Sequence, residues 1–286
     1  MSNKESSAAF DSEEGTSEFL RFLSEELDLL DKARERCLKE KGELWDVLNP
    51  LIFTMVDSLR SVTWLAESYK VRDCFVLSRV VVETSINLCF ICAEGETAAR
   101  RAMSHARQKS YRDLERKSEI NGQTIDISWS GKSSQVIDPD LQKDIDDFTH
   151  KNGRENTSWT PETVNQKLEI ISKKYGAKKS GSLQWAFFTI YRHASEIAHG
   201  TYFGSIYIFG RTLPSSKVET QEDLLKHLRG HLNMLCLMMG GAISATLEIL
   251  ATELSDLGKI AKDADQAIYA LKFPGVKLVP EEPKEI

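Results

Sequence analysis

The sequence lacks four features: an excess of positive charge, a leader-like N-terminus, an apolar run long enough to span a membrane, and a second cysteine pair. The formal net charge is −6, so any nucleic-acid site is expected to be a local basic patch. The first residues are acidic and rich in serine, without the apolar segment of a secretory signal. The longest uncharged apolar run, 232–247, is shorter than the ~20 residues of a spanning helix and predicts a buried core helix. These absences predict a cytoplasmic protein without a membrane segment.

The five cysteines are predicted to be reduced and buried, because their number is odd and most lie inside apolar helical patterns. Cys89 and Cys92 form a C-x-x-C pair deep in an apolar stretch. A redox pair is stabilised at a helix N-terminus instead, so packing is the favoured interpretation. A zinc site needs two further ligands, and no second pair exists. We therefore predict neither a metal nor a cofactor.

The hydrophobic pattern predicts an all-α fold. With 41% hydrophobic and 28% charged residues the composition is typical of a globular protein. Apolar residues recur at intervals of three and four in segments that we predict as helices: 17–41, 44–69, 71–93, 96–119, 139–149, 161–175, 182–199 and 221–254. We expect a helical bundle of about five long helices with short extra helices, and at most a small hairpin near 120–130 or 201–210.

The domain organisation follows from composition. We predict four parts: a disordered segment 1–16, a single helical domain 17–256, a loop insertion within it near 120–160, and a C-terminal helix or tail 257–286. Thr160, followed by a proline, is predicted to cap the 161–175 helix, and Thr220 the 221–254 helix. The segment TYFGSIYIFG, 201–210, fits a β-ribbon, an irregular loop or the start of a helix.

The segment YRHASEIAHG, 191–200, comes closest to a chemical motif. Residues seven apart on an α-helix differ by about 20° in direction, so Arg192 and His199 share a face. Ser195 and Glu196 lie on the same stripe. One face therefore offers a guanidinium, a hydroxyl, a carboxylate and an imidazole, and Gly200 is expected to end the helix.

The same stripe also has a purely structural interpretation. Arg192 and Glu196 have the spacing of an ordinary ion pair within a helix. His199 would lie at a helix C-terminus, where the dipole favours a cation. The segment would then be a core helix with a polar edge and with buried neighbours such as Phe187, Phe188, Ile190 and Ile197.

Arg192 and His199 resemble the Arg-x(4–6)-His pattern of HEPN domains, in which the residue after the arginine is usually polar, here His193. HEPN domains are α-helical bundles, and many are metal-independent ribonucleases of toxin–antitoxin and antiphage systems. The resemblance implies RNA as substrate, a site completed across a homodimer, and an antitoxin or other protein as partner.

A second resemblance covers roughly residues 50–250. The same ten residues are similar to the Tyr-x-x-x-Ser-x-x-x-His-Gly segment, here from Tyr191, of the bacterial family of domain of unknown function 5677. The segment SRVVVETSINLCFI, 78–91, resembles that family's Arg-x-x-x-Glu helix, here Arg79 and Glu83. The charged segment after it also resembles the family's pattern. This resemblance implies no activity.

Arg79 and Glu83 lie four residues apart in an otherwise apolar helix, where buried charges must be paired. They form either an internal salt bridge or part of a polar pocket with Tyr191 and His193. The riskier expectation is that six residues converge on one cleft: Arg79, Glu83, Arg192, Ser195, Glu196 and His199.

The 96–119 segment carries a row of basic residues. Arg101, His105 and Arg112 recur near one face of the predicted helix. They form either a phosphate-binding strip or a solvated face, because acidic residues are interspersed among them.

Two hypotheses for function follow. In the first, the protein is a HEPN-like ribonuclease in which His199 moves protons, Arg192 stabilises the transition state, and Glu196 or Ser195 orients them. In the second, it is a non-catalytic helical protein that binds a partner, and the stripe is a structural network. The exposure of two side chains distinguishes the hypotheses, since a ribonuclease needs Arg192 and His199 open to solvent.

Overall fold

The fold is a helical bundle, described here by a computed structural model for residues 10–129, 137–212 and 218–271. The predictions for residues 1–9 and for the tail beyond residue 271 lie outside this part of the chain. In order, the helices are α1 (Glu13–Cys37), α2 (Glu43–Glu67), α3 (Val71–Glu94), α4 (Glu96–Asp113), α5 (Pro139–Asp147), α6 (Val164–Tyr175), α7 (Ala177–Ala198), α8 (Tyr202–Tyr207), α9 (Gln221–Glu253) and α10 (Gly258–Ala270). A 3-10 turn, Ser255–Leu257, precedes α10. The predicted all-α class is confirmed.

Helix α3 lies at the centre of the bundle and packs against α2, α7 and α9. It is central because it is apolar on more than one face, with five consecutive residues, 88–92, buried. A helix that is hydrophobic around its circumference has to be surrounded by other helices. Helix α1 packs on α2 and α9, and α10 covers α1 and α9, so the C-terminal helix belongs to the same bundle.

A glycine allows α1 and α9 to approach closely. A Cβ atom at Gly240 would clash with the ring of Phe22, which is almost completely buried. Next to it in the chain, a Cβ at Gly241 would meet nothing within 4 Å. The first glycine is therefore required by packing, and the second is not.

Helices α3 and α9 are long and apolar enough to cross a membrane by length and composition alone. In their most apolar windows, 67% and 72% of the residues are buried inside the bundle. Core helices of a bundle show the same combination, as was predicted for the run 232–247.

The insertion begins with a β-hairpin instead of a continued helix. Strands β1 (Glu115–Ile120) and β2 (Gln123–Ser128) pair antiparallel across Asn121 and Gly122, which both have positive φ, 53° and 76°. Asn-Gly is the preferred sequence for a two-residue turn of this kind. The predicted helix 96–119 is therefore wrong after Asp113, and the loop predicted from residue 120 starts as a strand and turn.

The helix caps correct one prediction and confirm another. Helix α6 is capped by Thr163, not Thr160, in a capping box with Gln166. Thr220 caps α9 as predicted, in a capping box with Asp223. Of the three alternatives left open for 201–210, the structure shows a short helix, α8.

The prediction that the cysteines are unpaired and buried is confirmed. All five thiols are free and buried. Burial raises the pKa of Cys89 to about 12 and the pKa of Cys92 well above its usual value. Thiols of this kind stay protonated and serve packing.

Candidate functional site

Helix α7 carries the candidate site on the face turned away from the core. Its inner face is anchored by a row of buried residues: Leu183, Ala186, Ile190, Ala194 and Ile197. The helix ends at the C-cap His199, and Gly200 follows with φ 64°, as the predicted helix stop requires. The inner row fixes the helix, which leaves the outer face free for other roles.

Arg192 and His199 are exposed on the outer face, whereas Ser195 and Glu196 are half-buried. The ion pair between Arg192 and Glu196 that the structural interpretation required is absent. In the described part of the chain, Arg192 has no ion pair and no side-chain hydrogen bond. The guanidinium is therefore available to a ligand.

Glu196 holds the end of α7 to the short helix α8. Its carboxylate accepts a hydrogen bond of 2.7 Å from Thr201 Oγ1, and Thr201 is the N-cap of α8. Gly204 lies so close to this junction that a Cβ there would be 2.5 Å from the backbone oxygen of Glu196. Glu196 thus positions the neighbourhood of His199 rather than pairing with Arg192.

Arg79 and Glu83 make the predicted contact with each other. Arg79 Nε lies 3.2 Å from Glu83 Oε1, and the two side chains are 23% and 38% exposed. Arg79 also donates a hydrogen bond of 3.4 Å to the hydroxyl of Tyr191 and lies 4.5 Å from the centre of its ring. The pair is half-buried between α3 and α7, with Tyr191 as the side chain of α7 that it contacts.

The described contacts of Arg79 and Glu83 do not reach the α7 residues with which they were expected to form one cleft. Within residues 10–129, 137–212 and 218–271, no hydrogen bond, ion pair or ring contact links Arg79 or Glu83 to Ser195, Glu196 or His199. Tyr191 and His199 are eight residues apart, or about 12 Å along the helix axis. The group around Arg79 therefore lies beside Arg192 and away from His199.

One protein family matches a part of the chain that includes both Arg79 and helix α7. The model of a family of unknown function (DUF5677) matches residues 46–212, more than half of the chain. The chain belongs to this family. Neither a curated protein nor a solved structure matches it. The matched range contains Arg79, Glu83 and the whole of α7, and it ends before α9 begins.

Inside this DUF5677 domain, a buried lysine extends the cluster of polar residues around Arg79 and Glu83. Lys167 of α6 is 7% exposed and donates a hydrogen bond of 2.7 Å to the side-chain oxygen of Asn87, four residues after Glu83. Its ammonium group lies 4.8 Å from the centre of the Trp159 ring. Burial lowers the pKa of Lys167, and the charges of Glu162 and Glu83 oppose this shift. The lysine connects α6 to α3.

A cluster of histidines and a tyrosine was not recognised in the sequence. His193 stacks on Tyr207 with ring centres 4.2 Å apart. Tyr207 lies 4.9 Å from His231, whose Nε2 is 3.0 Å from Nε2 of His227. Burial, then the charges of His227 and His193, lower the pKa of His231 to about 3. The spacing of His227 and His231 on one helix was the available signal, but their partners come from two other helices.

This cluster is not arranged as a metal site. Among the described residues, no group of three or more histidine, cysteine, aspartate or glutamate side chains has an arrangement able to hold a metal ion. The histidine rings contact Tyr207 and one another by stacking and by edges.

The basic residues of α4 hold the insertion to the bundle. Arg101 donates to the backbone oxygen of Trp159 at 2.9 Å, and Arg112 donates to the backbone oxygen of Ile145 at 3.1 Å. The ring of His105 lies edge-on to Phe148 at 5.1 Å, and burial lowers the pKa of His105. These contacts favour an anchoring role, and phosphate binding by the three residues stays a prediction.

Two large aromatic side chains continue the outer stripe of α7 toward its N-terminus. Trp185 is 62% exposed and Phe188 is 78% exposed. Residues 185, 188, 192, 195 and 199 fall within about 80° of direction on an α-helix. The structural interpretation placed Phe188 among the buried neighbours of a core helix, and this placement is wrong because the ring lies on the outer face. One face of α7 therefore presents two rings, a guanidinium and an imidazole to solvent.

Proposed function

We propose that this protein is a HEPN-like, metal-independent ribonuclease in which Arg192 and His199 are the catalytic residues. The observation that supports the proposal is that both side chains are exposed on one face of α7, while Arg192 has no ion pair in the described part of the chain. A structural stripe would instead be covered by α3 and internally paired. The protein would act on RNA in a bacterial toxin or antiphage system.

The proposed chemistry is cleavage by the 2′-hydroxyl of RNA. His199 removes the 2′-hydroxyl proton, the 2′-oxygen bonds to phosphorus, and the bond from phosphorus to the 5′-oxygen breaks. The products are a 2′,3′-cyclic phosphate and a 5′-hydroxyl, whose proton comes from a protonated histidine or water. Arg192 stabilises the extra negative charge on the phosphoryl oxygens in the transition state.

The remaining residues have positioning roles in this proposal. Glu196 holds Thr201 and thereby the loop that follows His199. Ser195 lies between the two catalytic residues on the same stripe. Arg79, Glu83 and Tyr191 support α7 behind Arg192, and His193 packs on Tyr207. No cofactor is required, because both the proton transfer and the charge stabilisation come from side chains.

Partners are proposed from the resemblance to HEPN domains. A homodimer would bring a second His199 to the site and supply the general acid. An antitoxin or other regulatory protein would cover the exposed face of α7, where Trp185 and Phe188 offer apolar area. Burial of exposed rings is a common basis for association.

The test of catalysis is RNA cleavage by purified protein in the presence of EDTA. We expect wild type to cleave single-stranded RNA, and we expect His199→Ala and Arg192→Ala each to lose about 100-fold or more, as for a general base or a charge-stabilising donor. His150→Ala is the matched control, because His150 is exposed on the insertion. Equal cleavage by wild type and His199→Ala would rule out the catalytic assignment.

A second candidate function is binding without catalysis. It is favoured by the structural contacts of Glu196 with Thr201 and of Arg79 with Tyr191, which hold helices together. In that case His199→Ala would lower thermal stability and no RNA cleavage would be present to lose. Cleavage that stays intact with EDTA and depends on His199 would exclude this alternative.

A further inference from the structure

A cavity of about 540 Å³ lies beside Arg192 and is lined mainly by α7, with single residues from α6, α8 and α9. The lining residues that matter here are Asn165, Gln184, Phe187, Phe188, Tyr191 and Arg192. Among the described residues that line it, Arg192 is the one lysine or arginine, and none is an aspartate or glutamate. The cavity is therefore suited to a ligand that combines an anionic group with an uncharged part.

The two amide side chains of the lining are free to bind a ligand. Asn165 and Gln184 are exposed, and neither forms a side-chain hydrogen bond within the described ranges. An amide offers donors and an acceptor on one planar group. Two such groups at a cavity rim match the edge of a nucleobase, which also presents donors and acceptors in one plane.

The aromatic part of the lining consists of a fixed wall and a free ring. Phe187 and Tyr191 stack with ring centres 4.5 Å apart, and Arg79 lies over the Tyr191 ring from behind. Phe188 is 78% exposed and has no ring contact among the described residues. A free ring next to a fixed aromatic wall offers a base a stacking surface.

We infer that this cavity binds one unpaired RNA nucleotide, with the base against Phe188 and the amides and the phosphate at Arg192. Phe188 and Arg192 are four residues apart on α7, which places them side by side with a rise of about 6 Å. The inference rests on the proposed ribonuclease function and deepens it, because it assigns the base and the phosphate of one unpaired nucleotide to named residues. Bases paired in a duplex are not free to enter the cavity.

The mixed chemistry of the surface favours RNA over a second copy of the chain. The apolar ring of Phe188 is flanked by an unpaired guanidinium and by Gln184. Arginine and aromatic rings are enriched both at interfaces between proteins and at sites for single-stranded nucleic acid, so the two free amides, which match the donors and acceptors of a base edge, decide in favour of RNA. Self-association through this face is treated as a competing outcome of the test.

The experiment measures binding separately from cleavage. Fluorescence anisotropy is recorded for a labelled single-stranded 2′-O-methyl RNA of eight nucleotides, which has no 2′-hydroxyl to attack. We expect Phe188→Ala to weaken binding by about 5-fold to about 100-fold, the range for loss of one base-stacking contact. Phe188→Trp keeps a ring and should bind as wild type does. Phe53→Ala, which removes a ring that is 57% exposed on α2, is the matched control.

The amides are tested through base preference. The affinities of oligo(A), oligo(C), oligo(G) and oligo(U) are ranked for wild type and for Gln184→Ala. We expect the ranking to change, since an amide that contacts the base edge discriminates between bases. The same order of the four affinities in wild type and in Gln184→Ala would remove the base-recognition part of the inference.

Each outcome separates the inference from the proposed function. If wild type cleaves RNA but Phe188→Ala binds the uncleavable RNA as tightly as wild type, the inference is overturned and the function stands. If Phe188→Ala weakens binding but wild type does not cleave RNA, the inference stands and the function fails. Equal affinity for duplex RNA, or a dimer that Phe188→Ala dissociates without changing RNA affinity, would also overturn the inference.

Discussion

The buried side chain of Glu26 makes the protein less stable as pH rises. The side chain lies on α1 and is fully buried, and neither carboxyl oxygen has a hydrogen-bond partner in the described structure. Burial, followed by the charges of Glu25 and Asp265, raises the pKa of Glu26 from 4.5 to about 9. The carboxyl is therefore neutral at pH 7 in the folded protein and ionised in the unfolded chain.

The sign and size of the effect follow from proton binding. Between pH 4.5 and about 9 the folded state holds one proton more than the unfolded state at Glu26, so stability falls as pH rises. The slope is about 1.4 kcal/mol per pH unit, which amounts to about 4 kcal/mol between pH 5.5 and pH 8.5. This is a large part of the 5–15 kcal/mol that is typical of a folded domain.

Glu26→Gln removes the ionisable group while keeping its shape. We expect the free energy of unfolding of the variant, from urea denaturation followed by circular dichroism, to exceed that of wild type by about 4 kcal/mol more at pH 8.5 than at pH 5.5. Glu35→Gln, which removes an exposed carboxylate from the same helix, should give a curve parallel to that of wild type. Parallel curves for Glu26→Gln and wild type over this range would refute the reasoning.

Three further predictions concern packing and acid stability. Gly240→Ala should destabilise the fold by about 1–3 kcal/mol in urea melts because the new methyl group overlaps a buried ring of α1, whereas Gly241→Ala should stabilise it by up to about 1 kcal/mol. Gly204→Ala should displace α8 from the end of α7 and lower both the melting temperature and any RNA cleavage, whereas the control Gly181→Ala, which adds a methyl group in open space on α7, should lower neither. The pKa of about 3 for His231 means that this residue contributes a loss of stability as pH falls below about 6.5, about 2 kcal/mol at pH 5, which opposes the gain from Glu26. The stability of His231→Gln relative to wild type should therefore rise by about 2 kcal/mol between pH 7.5 and pH 5, and a constant difference would contradict the assignment.

The sequence predicted the helices most accurately where the apolar pattern is continuous. Helix α3 begins at Val71 and α9 at Gln221 as predicted, since an apolar run and the Thr220 cap mark those positions. A small hairpin was expected near 120–130, but its first strand was assigned to the preceding helix, because the polar residues after Asp113 continue the composition of that charged helix. The Asn121–Gly122 pair was the available signal, and its positive φ angles make it a turn.

The site was predictable within one helix and not between helices. The spacing of Arg192 and His199 is enough to place them on one face, and the structure shows both exposed. The contact of Arg79 with Tyr191, and the stacking of His193 on Tyr207, depend on how α3, α7 and α8 cross. Periodicity within one segment carries no information about those crossings.

The two faces of α7 separate the requirements of folding from those of the proposed site. The inner face is held by Ile190, Ala194 and Ile197, which are buried, and the end of the helix is held by Glu196 through Thr201. None of these anchors is Arg192 or His199. Substitution of an exposed, unpaired side chain normally changes stability by less than about 0.5 kcal/mol. A loss of RNA cleavage or binding in Arg192→Ala or His199→Ala without a change in melting temperature would therefore report on the chemistry of the outer face and not on unfolding of the bundle.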